Sequence, residues 1–357
     1  MAIAALLMAA SGAAGADWDE GGGAAWQSVL AQARKEGGLV FTIGTCGVAE
    51  PLARAFKADT GIEAGVVTGS TANADARYRL ELQTSRLSID LRLSGAADLD
   101  LAKSGYLADL TEKLLLPSVS GASNWTRGGI TWVDDTKKFM AINSEYVSTQ
   151  PLINTDFVAP DAVQSLADLL KPQFKGKIAA FDPAVGGPGQ AIAAYIADAS
   201  SIDLVKALFV GQDVALSRDS RQIVEWAARG TYPIVLGADA GEVQRFRLQG
   251  VKSLKSLSLR DAPGSLVGGC TVLSIPKDAP HMAAATVFLN WFLSPRGQKV
   301  YVEAFNLPTL RADVENVGVP ADIMPQAGLG YLAQYREDWY LGRRVRVQAD
   351  LRRALDR

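Results

Sequence analysis

The chain has 357 residues, 48% apolar and 21% charged, enough for two ordinary domains or one large one and not the composition of a disordered protein. Its 36 Lys and Arg against 38 Asp and Glu leave a net charge of −2, so no nucleic-acid or anionic-lipid footprint is present. A single histidine, His281, weighs against His-rich metal sites and most histidine-dependent general-base chemistry.

Residues 1–16, MAIAALLMAASGAAGA, carry no charge and are too short to span a bilayer, which needs about 20 residues. They fit the apolar part of an export signal, with Ala14-Gly15-Ala16 as the cleavage site and Asp17 starting the mature chain. The basic segment usual before such a run is missing, and a flexible Ala-rich tail is the alternative. No later stretch reaches membrane-spanning length without charge or proline.

The spacing of Trp26, Val29, Leu30 and Ala33 predicts a helix over Ala24 to Glu36, stopped by Gly37-Gly38. The run Leu39 to Ile43 predicts a strand covered on both faces. A helix through Phe56, a strand over 63–67, a helix near 74–84 and a strand over 89–93 follow. Beyond them come strands near 138–143, 177–181, 233–236 and 272–275, with helices over 166–170, 190–199, 223–229 and 283–293 between. Strand–loop–helix repetition of this kind predicts α/β architecture with parallel sheets. No linker is announced by composition.

In open α/β sheets, ligands bind beyond the carboxyl ends of the parallel strands. That rule selects Thr45-Cys46-Gly47, Thr68-Gly69-Ser70-Thr71, Ser94-Gly95, Asp182 to Gly189, and Gly237-Ala238-Asp239. These loops offer backbone N–H groups and neutral donors rather than a nucleophile and its base. Gly187, in the run Gly186-Gly187-Pro188-Gly189, opens a helix whose free N–H groups suit an anion, although a plain helix-entry turn explains it equally. The run is neither a dinucleotide fingerprint nor a P-loop. Ser220, Arg221 and Gly269 complete the candidate cleft.

Arg92 lies inside the apolar run Ile89 to Leu93, where a guanidinium needs a partner: Asp90, Asp98 or a ligand anion, with a pair inside the protein preferred. Arg77 and Arg127 are further cations near the loops. Trp132 is a stacking candidate or a core residue. Cys46 and Cys270 either form one disulfide closing a long loop or stay apart as two small buried side chains. Enzyme signatures are weak: no Gly-x-Ser-x-Gly elbow occurs, and His281 sits at a predicted helix start as a solvated residue. Asp182 and Asp239 are the only candidate carboxylate pair, and no spacing fixes their distance.

Three segments in order carry a resemblance. Ser165-Leu-Ala-Asp-Leu-Leu-Lys-Pro-Gln-Phe-Lys-Gly-Lys-Ile178, Val287-Phe-Leu-Asn-Trp-Phe-Leu-Ser-Pro-Arg-Gly-Gln298 and Leu307-Pro-Thr-Leu-Arg-Ala-Asp-Val314 resemble packing motifs of bacterial periplasmic solute-binding proteins of ABC importers. The branch is the iron(III)- and spermidine/putrescine-type. The resemblance implies a two-lobe type II periplasmic-binding-protein fold, with lobe one over 17–137 plus 271–357 and lobe two over 138–270. Two crossing hinge strands are expected near Phe139 and Cys270. It also implies a periplasmic, monomeric receptor that closes on one small-molecule ligand and docks on a membrane permease.

Iron-binding members use neighbouring tyrosines, and this chain has no adjacent pair, which argues against direct ferric binding. Polyamines need cleft carboxylates with aromatics, whereas the predicted loops are rich in Gly, Ser and Thr. A small organic anion, such as a carboxylate, phosphonate or sugar phosphate, is therefore expected, with no cofactor and no metal. Ferric or polyamine binding by the same clamp remains the alternative. A second is an enzyme on the same scaffold, of the porphobilinogen deaminase kind, for which Cys270 is the one weak nucleophile.

Overall fold

The computed structural model describes residues 18–44, 49–68, 71–84, 86–185, 187–269 and 271–355. The expectations for the first sixteen residues and Asp17, and for Thr45, Cys46, Ser70 and Cys270, lie outside the described residues, and Thr71 is described only as the first residue of a helix.

Two sheets repeat one topology. In the first, Gly38–Ile43 lies between the parallel strands Glu63–Thr68 and Leu91–Ser94. Val272–Ser274 then pairs antiparallel with Leu91–Ser94, followed by Ala141–Ile142 and Thr131–Trp132. In the second, Ile178–Phe181 lies between the parallel strands Ala215–Ser217 and Ile234–Leu236. Leu152–Asn154 pairs antiparallel with Ile234–Leu236, and Leu254–Ser256 closes that side. Both sheets thus run second, first, third strand, so the carboxyl ends of the parallel strands gather at one edge of each.

The residues explain the elements. Leu39, Phe41, Ile43, Leu91 and Leu93 are buried on one face of the sheet and Thr42 and Arg92 on the other, as strands covered on both faces require. Helix Ala24–Glu36 buries Trp26, Leu30 and Ala33, and ends at Gly37 with a φ of 81° that glycine adopts without strain. Helix Met282–Leu293 is buried without interruption from Ala284 to Leu293, so it is apolar all round. Its Phe288 stands 4.9 Å from Phe41 and 5.1 Å from Phe56, ring centre to ring centre, in the first core. A second core gathers Ile153, Ile178, Ile192, Leu208 and Ile234.

Between the cores, Tyr146–Ser148 and Ser265–Val267 run antiparallel. The chain crosses from first sheet to second through the one and returns through the other, the two crossing strands of a type II fold. They lie inward of the expected positions near Phe139 and Cys270. Ala141–Ile142 belongs to the first sheet, although the sequence division assigned it to lobe two. Three-residue strands show too little alternation to be located from sequence.

A third strand, Leu332–Ala333, runs parallel beside Ser265–Leu266. Beyond it the chain forms a π-helical turn, Asp338–Arg343, and helix Arg344–Ala354. That helix packs on helices Pro188–Ala199 and Ile202–Phe209, and Trp339 and Leu351 are buried in the second core. The stretch 271–357, expected in lobe one, thus includes a segment whose apolar anchors Trp339 and Leu351 lie in the second core.

Candidate ligand-binding cleft

Residues just beyond the carboxyl ends of parallel strands in both sheets, Ala96 after Leu91–Ser94 and Gly187 after Ile178–Phe181, line one cavity. On the second sheet, the turn after Ile178–Phe181 is pressed against the turn after Ile234–Leu236. A Cβ on Gly189 would come within 2.1 Å of the Phe181 carbonyl oxygen, and one on Gly237, whose φ is 73°, within 2.8 Å of the Gly189 nitrogen. Close approach of backbones therefore requires glycine at 189.

A cavity of about 230 Å³ lies between the two edges. Ala96 and Gly269 line it from the first side, Gly187 and Gln190 from the second. The chain's C-terminal segment adds Gln334, Tyr335, Trp339, Tyr340, Arg344 and Gln348. A smaller cavity of about 40 Å³ is lined by Tyr146, Asp239 and Arg247 among others. Tyr146 of the smaller cavity and Gly269 of the larger are neighbours, a Cβ on Gly269 falling 3.4 Å from the Tyr146 hydroxyl.

Of the residues expected at the site, Gly187 and Gly269 line the larger cavity and Asp239 the smaller. Arg92 is 1% exposed and is held by Asp98, with Nε donating to Oδ2 at 2.9 Å and Nη2 to Oδ1 at 2.7 Å. Of the partners weighed from sequence, Asp98 is the one. Ser94 Oγ donates to the same carboxylate at 2.8 Å and Ser274 Oγ at 2.6 Å. The guanidinium also lies 4.8 Å over the Tyr78 ring, whose phenol burial pushes up.

Asp182 accepts from Arg218 Nε at 3.0 Å and from the Ala184 N–H at 3.0 Å. Asp239 caps helix Ala240–Leu248 through the Glu242 N–H at 3.1 Å, and burial raises its carboxyl above the usual carboxylate range against that bond. The two carboxylates thus have separate duties. Ser220 opens a helix capped by Asp219, and Arg221 on it is exposed. Thr68 is exposed at the end of the outer strand, and Trp132 is half-buried opposite Ala141. Arg77 pairs with Glu81, and Arg127 with Glu145.

His281 is not simply solvated. Its backbone N–H donates to Asp90 Oδ1 at 2.6 Å, and its ring Nδ1 lies 3.1 Å from Asp90 Oδ2, while Asp90 also accepts from the Val40 N–H at 2.7 Å. Among the described residues, no group of three His, Cys, Asp or Glu side chains is arranged to hold a metal ion. None of their helices is long and apolar enough to cross a membrane.

Sequence reasoning missed the C-terminal wall of the cavity. Its signal was present as the spacing Tyr340, Arg344, Gln348, one face of a helix at steps of four. Tyr335 in this segment donates its hydroxyl to Glu145, the buried residue before the first crossing strand. Burial and that carboxylate raise the Tyr335 phenol.

The profile of the bacterial extracellular solute-binding proteins matches residues 39–305, well over half of the chain. The chain belongs to that family. It is a solute-binding receptor of the ABC-import type, exported and built to capture a small molecule; the family is one of binding proteins. Solved structures share the fold. Iron-bound HitA from Pseudomonas aeruginosa is 16% identical, with a TM-score of 0.64 over 89% of this chain and 99% of that one. The apo ferric ion-binding protein A of Pasteurella haemolytica is 14% identical, with a TM-score of 0.65 over 89% and 98%. AfuA from Actinobacillus pleuropneumoniae, with exogenous fructose-6-phosphate bound, is 16% identical, with a TM-score of 0.60 over 89% and 99%. Among curated sequences, none matches the chain.

Proposed function

We propose that the protein is a monomeric periplasmic receptor that closes on a small organic anion and delivers it to the membrane permease of an ABC importer. The observation that carries the ligand class is the lining of the 230 Å³ cavity: among its described residues Arg344 is the single charged side chain and no carboxylate is present. A ferric ion or a polyamine needs anionic oxygens around it. At about 30 Å³ per water, the volume corresponds to roughly eight waters, room for a multi-atom ligand rather than a bare ion. The AfuA structure holds fructose-6-phosphate, an anion of this class.

On this reading, lobe one runs to the first crossing strand and resumes after the second. Lobe two is the chain between them together with the C-terminal helix. The separation of the first core from the two clusters packed on the second sheet supports that division. A ligand touching both edges favours the closed state by its differential affinity for it.

A thermal-shift screen of ligand-stripped protein tests the proposal, with carboxylates, phosphonates, sugar phosphates, polyamines, amino acids and ferric salts. A ligand at 100 times its Kd adds about 2.7 kcal/mol of stability. Stabilisation by one class of anion is expected. Stabilisation by ferric salts or polyamines alone overturns the anion reading, and product formation from the bound compound overturns the receptor reading.

A further inference from the structure

We propose that the C-terminal segment 334–348 is the part of the receptor that reads the ligand's charged group, with Arg344 as its counter-charge and Gln348 as a neighbouring donor. The inference rests on the cleft being the ligand site, as argued above.

Four observations carry it. First, the family profile ends at residue 305, so this wall lies outside the matched region. Second, the adjacent arginines have divided duties. Arg343 is neutralised by Asp198, whereas Arg344 has no acidic partner among the described residues and lines the cavity. Third, Arg344 is already oriented: its Nε donates to the Tyr340 carbonyl oxygen at 3.1 Å, and its guanidinium lies 3.6 Å over the Tyr340 ring. Stacking of this kind leaves the outer edge of the fork for a planar or tetrahedral oxyanion. Fourth, the Gln348 side-chain nitrogen is shut off from solvent without a hydrogen-bond partner among the described residues, and Gln348 lines the same cavity. A buried donor left unpaired is costly, and a ligand oxygen would satisfy it.

Tyr340, Arg344 and Gln348 share one helix face at steps of four residues. Tyr340 lies within the π-helical turn Asp338–Arg343, a distortion that recurs at functional sites. Gln190 and Gln334 line the same cavity as neutral partners for hydroxyl or carbonyl groups. The ligand is thus a molecule with one carboxylate or phosphate end and an uncharged polar body.

The test is calorimetric titration of the full chain with citrate, inorganic phosphate, fructose 6-phosphate and fructose. Arg344→Gln, Arg344→Lys, Gln348→Leu and the exposed control Arg346→Gln are compared with the wild type, each first checked for an unchanged melting curve. Arg344→Gln should weaken the best anion about tenfold to a hundredfold and abolish any preference for fructose 6-phosphate over fructose. Arg344→Lys should recover part of the loss, Gln348→Leu should weaken binding less, and Arg346→Gln should change nothing. Wild-type binding that survives Arg344→Gln with its charge preference intact overturns this inference and leaves the proposed function standing. If no anion binds the wild type, both fall.

Discussion

Arg92 and Asp98 face each other through two hydrogen bonds, of 2.9 and 2.7 Å, with side chains 1% and 0% exposed. Ser94 and Ser274 close the remaining side of the carboxylate, so the pair ties Leu91–Ser94 to Val272–Ser274, the strand that brings the returning chain into the first sheet. Removing one partner strands a buried charge. Arg92→Met or Asp98→Leu alone should cost about 3–5 kcal/mol in denaturant unfolding, and the double replacement much less than the sum. Additive losses would show that the two charges are not coupled.

The contact between the turns at the end of the second sheet gives a steric prediction. Gly189→Ala places a methyl where the Phe181 carbonyl oxygen already lies, and Gly237→Ala adds strain at a φ of 73°. Each should destabilise by about 1–3 kcal/mol or more, read as a lower Tm. A Gly250→Ala control, where nothing lies within 4 Å but φ is 99°, reports the strain without a clash, so any excess at Gly237 over it measures the crowding against Gly189.

Asp239 gives a pH dependence whose sign follows from its raised carboxyl. The folded state binds the proton more tightly than the unfolded chain, with its carboxyl near 3.9. The stabilisation from the neutral form is complete below about pH 3.9 and is lost as pH rises through the folded value. Asp239→Asn keeps a helix cap and removes the charge. Relative to wild type it should melt higher at pH 7, with the advantage shrinking toward pH 4. A constant difference across that window contradicts the assignment.

Trp339 anchors the C-terminal segment in the second core at 3% exposure. Trp339→Ala should cost about 3–5 kcal/mol, and amide exchange should accelerate through helix Arg344–Ala354 before the sheets open. Uniform acceleration across the molecule would mean that the helix is not a separate unit.

Tyr335→Phe removes the hydroxyl that donates to Glu145, a buried carboxylate otherwise held by the half-exposed Arg127. A loss of about 1–3 kcal/mol is expected, since Glu145 keeps its burial and loses a donor. Arg127→Ala combined with it should be worse than additive.

Much of the scaffold is legible because its elements are long and apolar. Trp26, Leu30 and Ala33 define one helix to its ends, and Leu39, Phe41 and Ile43 define a covered strand. The crossing strands are three residues each, too short for a period to appear. The identity of the Arg92 partner was open because Asp90 and Asp98 are equally near in sequence, and only folding brings Ser274 to the second of them. The cleft glycines were reachable from the rule about strand ends. Gln334 was not, since a lone glutamine belongs to no motif, and the helical spacing of Tyr340, Arg344 and Gln348 marks a face without saying what that face meets.

Glu337 and Trp339 are two residues apart and are held by different halves of the molecule. Glu337 accepts from the Asp135 N–H at 2.9 Å and pairs with Lys103, both on the first lobe, while Trp339 is sunk in the second core. Two residues of fully extended chain reach about 7 Å. The segment is thus a short tether: the places that hold Glu337 and Trp339 cannot move apart by more than that length unless one of the two anchors lets go.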